Sequence, residues 1–497
     1  MPLARSLLLH LTRLALYGGL GVLLTLLVVF VRYLEGRPDL ELWHLADLDE
    51  EFTTDSPVTT FMEYLELEER LFAQLDDKVY ARTGPPGSDQ INRYKRGSLA
   101  DPARWPRNWN RSYVMEAGEP RARVLLLHGL SDAPYSLRAM AQRLHAAGAT
   151  VLGLRIPGHG TAPSALVEVR WQDMAAAVRL AVRHLSSDDD LPLYIVGYSN
   201  GAALAVDYTL ASLEQEDHPS VAGLVLLSPE IGVTRAAALA VWQARLGHLL
   251  GLEKLAWNDI LLEYEPFKYG SFAVNAGDVS YRITREIGRK LDKLSASGRL
   301  QAMPPILAFT SVIDATVVAP ALVANLYNRL PANDHALVLF DINRQAGIEH
   351  VLRWQPDAMI DALRKAPGTT YSFSLVTNEN EHSPAVVARH WQPGKADISE
   401  EPLGLEWPDD VYSLSHVALP FPPDDPVYGA HPKAAGPGIH LGDIALRGER
   451  GALLISDSAM LRLRWNPFYS YMEERSLRFL GLGEGSGQGA RTGRDDL

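Results

Sequence analysis

The sequence predicts an α/β protein in which a mostly parallel sheet carries helices on both faces and is preceded by one N-terminal transmembrane helix. Three observations predict it. From about residue 112, short apolar runs typical of buried strands alternate with helical patterns, as in parallel sheets covered on both faces. An uncharged apolar run lies near the N-terminus, and a long helical stretch without strand patterns follows the apolar run at 221–227.

The composition excludes several classes of function. The chain has 497 residues, 47% of them hydrophobic, which is enough to bury a large core. With 47 basic and 60 acidic side chains the net charge is -13, so the surface repels phosphate backbones and we expect no nucleic-acid partner. Because the chain has no cysteine, it can form no disulfide, thiolate nucleophile or cysteine-ligated metal site.

Residues 1–37 are predicted to anchor the protein in a membrane. The run from 14 to 31 carries no charge and has arginines on both sides, and its length is close to the ~20 residues that a spanning helix needs. A cleaved signal peptide and a buried core helix are the alternatives, but no A-x-A-like cleavage site closes the run. The free amino group adds positive charge before the run, which favours a cytoplasmic N-terminus and an extracytoplasmic catalytic domain, periplasmic if the protein is bacterial.

Two further segments lie outside the expected folded domain. Residues 38–110 begin acidic, show helical spacing from Phe61 to Leu75 and then meet a Gly/Pro-rich break, which predicts a juxtamembrane helix and linker. Residues 482–497 are rich in Gly, Arg and Asp, which predicts a disordered tail.

Residues 111–481 are predicted to form the folded domain. Buried strands are expected at Arg123–Leu127, Thr150–Leu154, Leu193–Val196, Val221–Leu227, Ile306–Phe309 and Ala336–Phe340. Residues at about 231–303 show helical spacing without strand patterns and predict a helical cap. Residues at about 345–410 are irregular apart from a strand-like run at Tyr371–Val376, and a last helix is expected at Tyr469–Leu480.

The strongest chemical motif is Gly197-Tyr198-Ser199-Asn200-Gly201. It stands between a predicted strand and a predicted helix, the setting in which a G-x-S-x-G turn exposes a strained nucleophilic serine. The glycines let the turn close, and the helix N-terminus favours developing negative charge. The alternative is an ordinary glycine-rich turn between a strand and a helix.

Four segments occur in an order that resembles a known family. They are VLLLHGLSDAPYS, RIPGHGTAPSAL, the helix opening WQDM, and VGYSNG. From about 112 to 340 the chain resembles the α/β-hydrolase superfamily, near its carboxylesterase and monoacylglycerol-lipase-like branch. The resemblance implies a parallel eight-stranded sheet, a Ser–Asp–His triad and a helical cap after the sixth strand.

In that family the oxyanion hole is built from two backbone amides. One comes from the loop after the third strand and the other from the residue after the nucleophile. By position these are the amides of Leu130 and Asn200. We interpret the neighbouring His128 as a structural histidine of the loop.

The resemblance also places the acid after the strand that follows the cap. Asp314 stands there, in the sequence Ser311-Val312-Ile313-Asp314-Ala315, and the chain order Ser, Asp, His is the one this fold uses. A helix N-cap is the alternative role for Asp314. Asp341, at the end of the next strand, is the second candidate for the acid.

The histidine has two candidates. His350 follows the next strand at the ordinary family spacing, but Ile348, Val351 and Leu352 place it in a helical pattern. His416 lies in a Pro-rich loop before the last helix, where a catalytic imidazole is normally held. We favour His416, which makes residues 345–410 an insertion before the histidine; His382 is a distant third.

These residues predict a membrane-tethered serine hydrolase that cleaves carboxylic esters, including lipid or acylglycerol-like ones, through an acyl-enzyme on Ser199. The mechanism implies no cofactor and no metal. Its expected partners are a small-molecule ester or lipid substrate and the membrane. An acyltransferase that uses the same acyl-enzyme and a non-catalytic binding protein on the same fold are the alternatives.

Overall fold

The structure is a computed structural model. It describes residues 2–84, 91–186, 191–215, 217–232, 253–352, 355–365, 368–393, 398–432, 436–442 and 461–483.

A ten-stranded sheet forms the centre of the described chain, in the order β1-β3-β2-β4-β5-β8-β9-β10-β11-β12. Its strands are β1 (Tyr113–Met115), β2 (Ala122–Leu127), β3 (Ala149–Leu154), β4 (Leu193–Tyr198), β5 (Gly223–Leu227), β8 (Ile306–Ser311), β9 (His335–Phe340), β10 (Tyr371–Asn378), β11 (Ala385–Trp391) and β12 (Ile398–Glu406). From β3 to β10 all neighbours are parallel, whereas β1, β11 and β12 pair antiparallel. The mostly parallel sheet is therefore confirmed, with two strands more than the expected eight.

Helices cover both faces of this sheet. In chain order the helices of the described chain are α1 (Pro2–Glu35), which lies outside the layers over the sheet, α2 (Leu42–Leu45), α3 (Phe61–Leu75), α4 (Arg138–Ala146), α5 (Ala165–Glu168), α6 (Trp171–Leu185), α7 (Asn200–Glu214), α8 (Val274–Ala296), α9 (Ala319–Asn325), α10 (Pro356–Lys365) and α11 (Tyr469–Phe479). Strand β2 shows the two layers, because its side chains alternate between faces. Leu125 and Leu127 join the core under α6, α7 and α8, and Val124 and Leu126 join the core under α4 and α11.

Helix α1 has the properties of a membrane span. The most apolar window of 18 residues within His10–Glu35 has a mean hydropathy of 2.5 and is not buried against the rest of the protein. Among the described residues, one helix is long and apolar enough to cross a bilayer, and it is α1. A signal sequence near an N-terminus has the same properties.

The segment 38–110 differs from the expected juxtamembrane helix and linker. Helix α3 begins with a capping box between Thr60 and Glu63, and its buried Phe61, Tyr64 and Leu67 join the core beneath α6. The Glu68 carboxylate pairs with the buried Arg155 at 3.0 Å, just after β3. The described part of this segment therefore packs on the folded domain. The sequence predicts its helix but not this packing.

The expected cap at 231–303 is only partly described, since residues 233–252 lie outside the described part. In the remainder, Trp257–Asp259 (β6) and Phe272–Ala273 (β7) form a two-stranded antiparallel sheet that the sequence did not predict. Helix α8 buries Ile283 and Ile287 in the main core. The later part of the predicted cap thus belongs to the helical layer over the sheet.

The insertion expected at 345–410 contains more regular structure than predicted. It holds α10 and the strands β10, β11 and β12, which extend the sheet. Residues 398–406 are largely exposed edge strand, and Pro402 and the left-handed Gly404 interrupt them, so no apolar alternation signals a strand there. At its base the insertion is closed by a bridge between Ile342 and Ser413.

The C-terminal tail expected at 482–497 falls almost wholly outside the described residues. Leu482 is described, and it is buried beside α11.

Candidate active site

Ser199 stands on a tight turn between β4 and α7. Its backbone is left-handed, with φ 53° and ψ −116°, and its amide donates to the Leu227 carbonyl at 2.9 Å. A Cβ on Gly197 would lie 2.5 Å from the Ala202 Cα, and one on Gly201 would lie 2.1 Å from the Leu127 carbonyl oxygen. Only glycine fits at these two positions, so the two glycines are what allows the turn to close.

Asp314 follows β8 and is buried. Its Oδ1 accepts the amides of Thr316 at 2.8 Å and Val317 at 2.9 Å. Burial raises the pKa of this carboxyl, but the neighbouring His416 and these hydrogen bonds outweigh it and hold the pKa below its ordinary value. Asp314 therefore caps the following turn and still keeps Oδ2 for another partner.

That partner is His416, in a short turn at His416–Ala418. The His416 Nδ1 lies 2.8 Å from Asp314 Oδ2, and its Nε2 lies 3.1 Å from Ser199 Oγ. Tyr198 packs beside the ring and donates its hydroxyl to the His416 carbonyl at 3.3 Å. In the tautomer with a proton on Nδ1, Nε2 is free to accept the serine proton.

The other candidates lie elsewhere. His350 is exposed in the turn Glu349–Val351, and His382 is exposed between β10 and β11. Asp341 is buried, but it pairs with Arg344 at 2.9 Å and accepts the Thr377 hydroxyl at 2.7 Å. The structure thus brings Ser199, Asp314 and His416 together and leaves these three alternatives out.

The two amides expected to form an oxyanion hole come from different elements of the fold. Leu130 lies in the loop after β2, and Asn200 opens α7. Within the described part of the chain, neither amide donates to a backbone carbonyl. The amide of Asn200 lies at the N-terminal end of α7, where the helix dipole favours negative charge.

His128 holds the loop after β2 in place through its ring nitrogens. Its Nε2 accepts the Ile156 amide at 3.0 Å, and its Nδ1 faces the Gly129 carbonyl at 2.9 Å. Burial drives the pKa of His128 well below its ordinary value, so the ring is neutral and donates through one nitrogen while accepting through the other. This position fits the structural role expected from the sequence.

Glu230 is a site residue that the sequence analysis missed. Its amide donates to the Ser199 carbonyl at 3.1 Å, and its Oε2 accepts the Asn200 side-chain amide at 3.2 Å. Burial raises the pKa of the Glu230 carboxyl. A signal existed, because Glu230 follows β5, the neighbour of β4, and the carboxyl ends of adjacent parallel strands meet at one edge.

A buried charge cluster near the triad was also missed. Asp132 pairs with Lys268 at 3.1 Å, and Glu265 pairs with Arg464 at 3.0 Å while accepting the Tyr428 hydroxyl at 2.7 Å. These contacts tie the cap segment to the loop after β2 and to the region before α11. Their residues are far apart in sequence, so no local pattern reveals them.

Asp425 connects the Pro-rich loop after His416 to the segment that contains Tyr135 and Arg138. It accepts the amides of Val427 and Tyr428, as a turn residue does. It also accepts the Tyr135 hydroxyl at 2.9 Å and pairs with Arg138 at 3.2 Å. Among the described residues, no group of three or more His, Asp or Glu side chains is placed to hold a metal ion.

A family model described as serine aminopeptidase, S33, matches residues 118–343. Two curated relatives come from bacilli. A thermostable monoacylglycerol lipase of Bacillus sp. (strain H-257) is 30% identical over 115 residues, which is 23% of this chain and 43% of the relative. Phospholipase YtpA of Bacillus subtilis (strain 168) is 25% identical over 122 residues, which is 24% of this chain and 45% of the relative. The matched region spans less than half the length of each relative.

Solved structures of lipolytic enzymes are also similar. The alignment with a structure from a study of the metagenome-derived lipolytic enzymes LipS and LipT covers 53% of this chain and 99% of the aligned chain. The identity is 21% and the TM-score is 0.36. A monoacylglycerol lipase from Paleococcus ferrophilus covers 46% of this chain and 89% of its own, at 18% identity and a TM-score of 0.35.

The family match ends at residue 343, where the insertion begins. Ser199 and Asp314 lie inside the matched region, and His416 lies beyond it. The parallel sheet and the turn that carries Ser199 give the chain an α/β-hydrolase fold, and part of the chain is similar to a hydrolase family model and to a monoacylglycerol lipase.

Proposed function

We propose that this protein is a membrane-tethered serine hydrolase that cleaves carboxylic esters through an acyl-enzyme on Ser199. The observation that carries the proposal is the contact of His416 with both partners, at 3.1 Å to Ser199 Oγ and 2.8 Å to Asp314 Oδ2. A base in reach of a hydroxyl, itself oriented by a buried carboxylate, is the arrangement that activates a serine.

In the proposed reaction Ser199 Oγ attacks the ester carbonyl while His416 Nε2 takes its proton. Asp314 keeps the imidazole oriented and stabilises its charged form. The amides of Leu130 and Asn200 hold the oxyanion of the tetrahedral intermediate. His416 then gives its proton to the leaving alcohol, and a water activated by the same imidazole releases the acid and frees the serine. No cofactor takes part.

Lipid esters are the proposed substrates. The two curated relatives are named as a monoacylglycerol lipase and a phospholipase. An apolar anchor would hold the catalytic domain beside a membrane whose lipids contain such esters. The family model is described as an aminopeptidase, so peptide amides are the substrates to compare.

We also propose that α1 spans the membrane with its N-terminus in the cytoplasm, which places the catalytic domain outside it, in the periplasm if the protein is bacterial. The support is the exposed apolar surface of His10–Glu35. The full-length protein should leave membranes only with detergent, and a reporter fused after Leu497 should be active only outside the cytoplasm. Release by high salt alone would contradict the anchor.

A fluorophosphonate probe tests the chemistry. The folded, full-length protein should react with it, and peptide mapping should locate the adduct on Ser199. Turnover of monoacylglycerol should exceed that of an aminoacyl anilide. Adding a long-chain alcohol distinguishes the acyltransferase, which would form a new ester in place of free acid. A folded protein that the probe does not label would contradict the proposal.

A further inference from the structure

The end of α1 is tied to the cap by reciprocal hydrogen bonds. The Arg37 guanidinium donates to the carbonyls of Lys254 and Asn258, each at 2.8 Å. In return the Lys254 ammonium donates to the Arg37 carbonyl at 3.1 Å and pairs with Asp39 at 2.8 Å. The cap segment is therefore held beside the point where the apolar helix ends.

The contact continues along the next residues. His44 Nε2 lies 2.9 Å from Ser271 Oγ, and the His44 ring packs edge-on against Trp257 at 4.9 Å. The same Ser271 hydroxyl donates to the Leu261 carbonyl and accepts its amide. Residues 37–45 and 254–271 thus form one interlocked unit, which we name the collar.

The collar exposes three leucines although much of its other apolar surface is buried. Leu42, Leu45 and Leu261 are 36%, 50% and 51% exposed, whereas Trp257 and Phe267 are 2% exposed. Leu42 and Leu45 flank His44 in α2, and Leu261 shares Ser271 with His44. Exposed apolar side chains that come together on one surface mark sites of contact with another protein or a membrane.

The position of α1 identifies what covers them. Its apolar run ends near residue 31, and a helix rises ~1.5 Å per residue, so Glu35 lies ~6 Å beyond the apolar core. The headgroup region on each side of a bilayer is about that thick. Arg37 follows two residues later, within ~7 Å of chain, and it is bonded to the cap.

We propose that the collar rests on the lipid surface, with Leu42, Leu45 and Leu261 in contact with the bilayer that holds α1, so that the hydrolase body has one fixed orientation on the membrane with its cap side facing lipid. This inference rests on the proposed membrane anchorage. A flexible linker would leave the body free to turn; the Arg37 and Lys254 contacts prevent that.

Single cysteines test the collar directly, because the chain has none of its own. Full-length Leu45→Cys and Leu261→Cys are each labelled with an environment-sensitive fluorophore and placed, one copy per disc, in phosphatidylcholine nanodiscs. Brominated lipid should quench both probes, and iodide in solution should quench them weakly. Leu99→Cys, at a residue 49% exposed outside the collar, should show the reverse. Leu20→Cys within α1 reports whether the helix is inserted.

The outcomes separate the two proposals. If brominated lipid fails to quench the probe at 20, the anchor proposal fails, and the collar proposal with it. If the probe at 20 is quenched but those at 45 and 261 behave like the one at 99, the collar proposal alone is wrong. Probes at 45 and 261 that neither quencher reaches are covered by protein, which also overturns it.

A charge-matched pair of variants tests the tie itself. Arg37→Gln removes the two guanidinium bonds to the cap, whereas Arg32→Gln removes an equal charge whose guanidinium pairs with Glu35. Lipid quenching at 261 should fall at least twofold in Arg37→Gln and stay unchanged in Arg32→Gln, with the probe at 20 quenched in both. Equal quenching at 261 in both variants would show that Arg37 does not fix the orientation.

Discussion

The nucleophile and the histidine reach the same site by different routes. Ser199 is positioned by the turn between β4 and α7, because Gly197 and Gly201 leave room for the close backbone of Ala202 and Leu127. His416 follows a long insertion. The chain leaves the core at Ile342, forms three more strands and pairs with Ile342 again at Ser413. The first position depends on local backbone geometry, and the second depends on closure of a distant loop.

This difference determines how each part of the site can fail. A local turn keeps its shape as long as its glycines and flanking elements are present. A position reached through an insertion is kept by the contacts at the insertion's base. We therefore expect substitutions near Ser199 to act on chemistry, and substitutions at the base of the insertion to act on the placement of His416.

The largest effect is expected for Ser199→Ala. Because the acyl-enzyme can no longer form, ester turnover should fall by ~10³-fold or more, and fluorophosphonate labelling should disappear. Ser228→Ala is the matched control, since Ser228 is also a buried serine with a left-handed backbone at the end of a neighbouring strand. An unchanged rate in Ser199→Ala would end the serine-hydrolase proposal.

Histidine substitutions compare the two routes directly. His416→Ala should lose activity as severely as Ser199→Ala, and the double variant should be little worse than either, because triad members act as a unit. His350→Ala should keep most of the activity, since that side chain is exposed. The test is to measure ester turnover and the circular dichroism spectrum of His416→Ala, the double variant and His350→Ala. A folded, inactive His350→Ala beside an active His416→Ala would overturn the assignment.

Elements of the core could be predicted because buried parallel strands appear as continuous apolar runs. The run Ile306–Phe309 is the start of β8, and Ala336–Phe340 is nearly all of β9. The edge strand β12 could not be predicted, because it carries exposed Glu residues and interrupting Pro and Gly. What makes it a strand is pairing with β11, which no local pattern contains.

The candidate site divides in the same way. Ser199 and Asp314 stand directly after strands, where fold and motif together predict them. His416 is predicted from its loop context, although the sequence indicates only the first of the three strands before it, at Tyr371–Val376. Glu230 and the Asp132–Lys268 pair escaped notice because their meaning lies in contacts across strands and with the cap. The roles of all these residues remain predictions.

A moderate effect is expected at the base of the insertion. Asn343 donates its side-chain amide to the Val411 carbonyl at 2.9 Å and accepts that of Asn378 at 3.1 Å. Asn343→Ala should loosen the return of the chain and lower kcat/KM about tenfold, which corresponds to ~1.4 kcal/mol. The control is Asn380→Ala, an exposed turn residue of the same insertion.

The expected loss in Asn343→Ala lies in kcat, with KM nearly constant, because His416 acts on bond making rather than on substrate binding. Labelling by the fluorophosphonate probe should slow by a similar factor. If Asn343→Ala and Asn380→Ala behave alike, the base of the insertion does not position the histidine, and the contrast with the local turn at Ser199 is lost.

The smallest effect is expected for Glu230→Gln, which tests whether the nucleophile's surroundings need a charge. The substituted amide oxygen can still accept from Asn200, so kcat/KM should stay within about threefold of the parent. Burial raises the pKa of Glu230, so the folded chain holds this proton to higher pH than the unfolded chain. The stability that Glu230 contributes is therefore complete below its unfolded pKa and is lost as pH rises through its folded pKa.

Removing the carboxyl should accordingly raise Tm relative to the parent, with a difference that grows from pH 4 to pH 8. Glu286→Gln supplies the opposite sign. There the Arg289 hydrogen bond lowers the pKa of the carboxyl, so its contribution is present above the unfolded pKa and is lost as pH falls through the folded pKa. The variant should be less stable than the parent at pH 8 and should approach it at pH 4. Parallel Tm profiles for the two variants would show that Glu230 is not held in the buried state that the fold imposes, and that the turn at Ser199 tolerates a charged neighbour without cost.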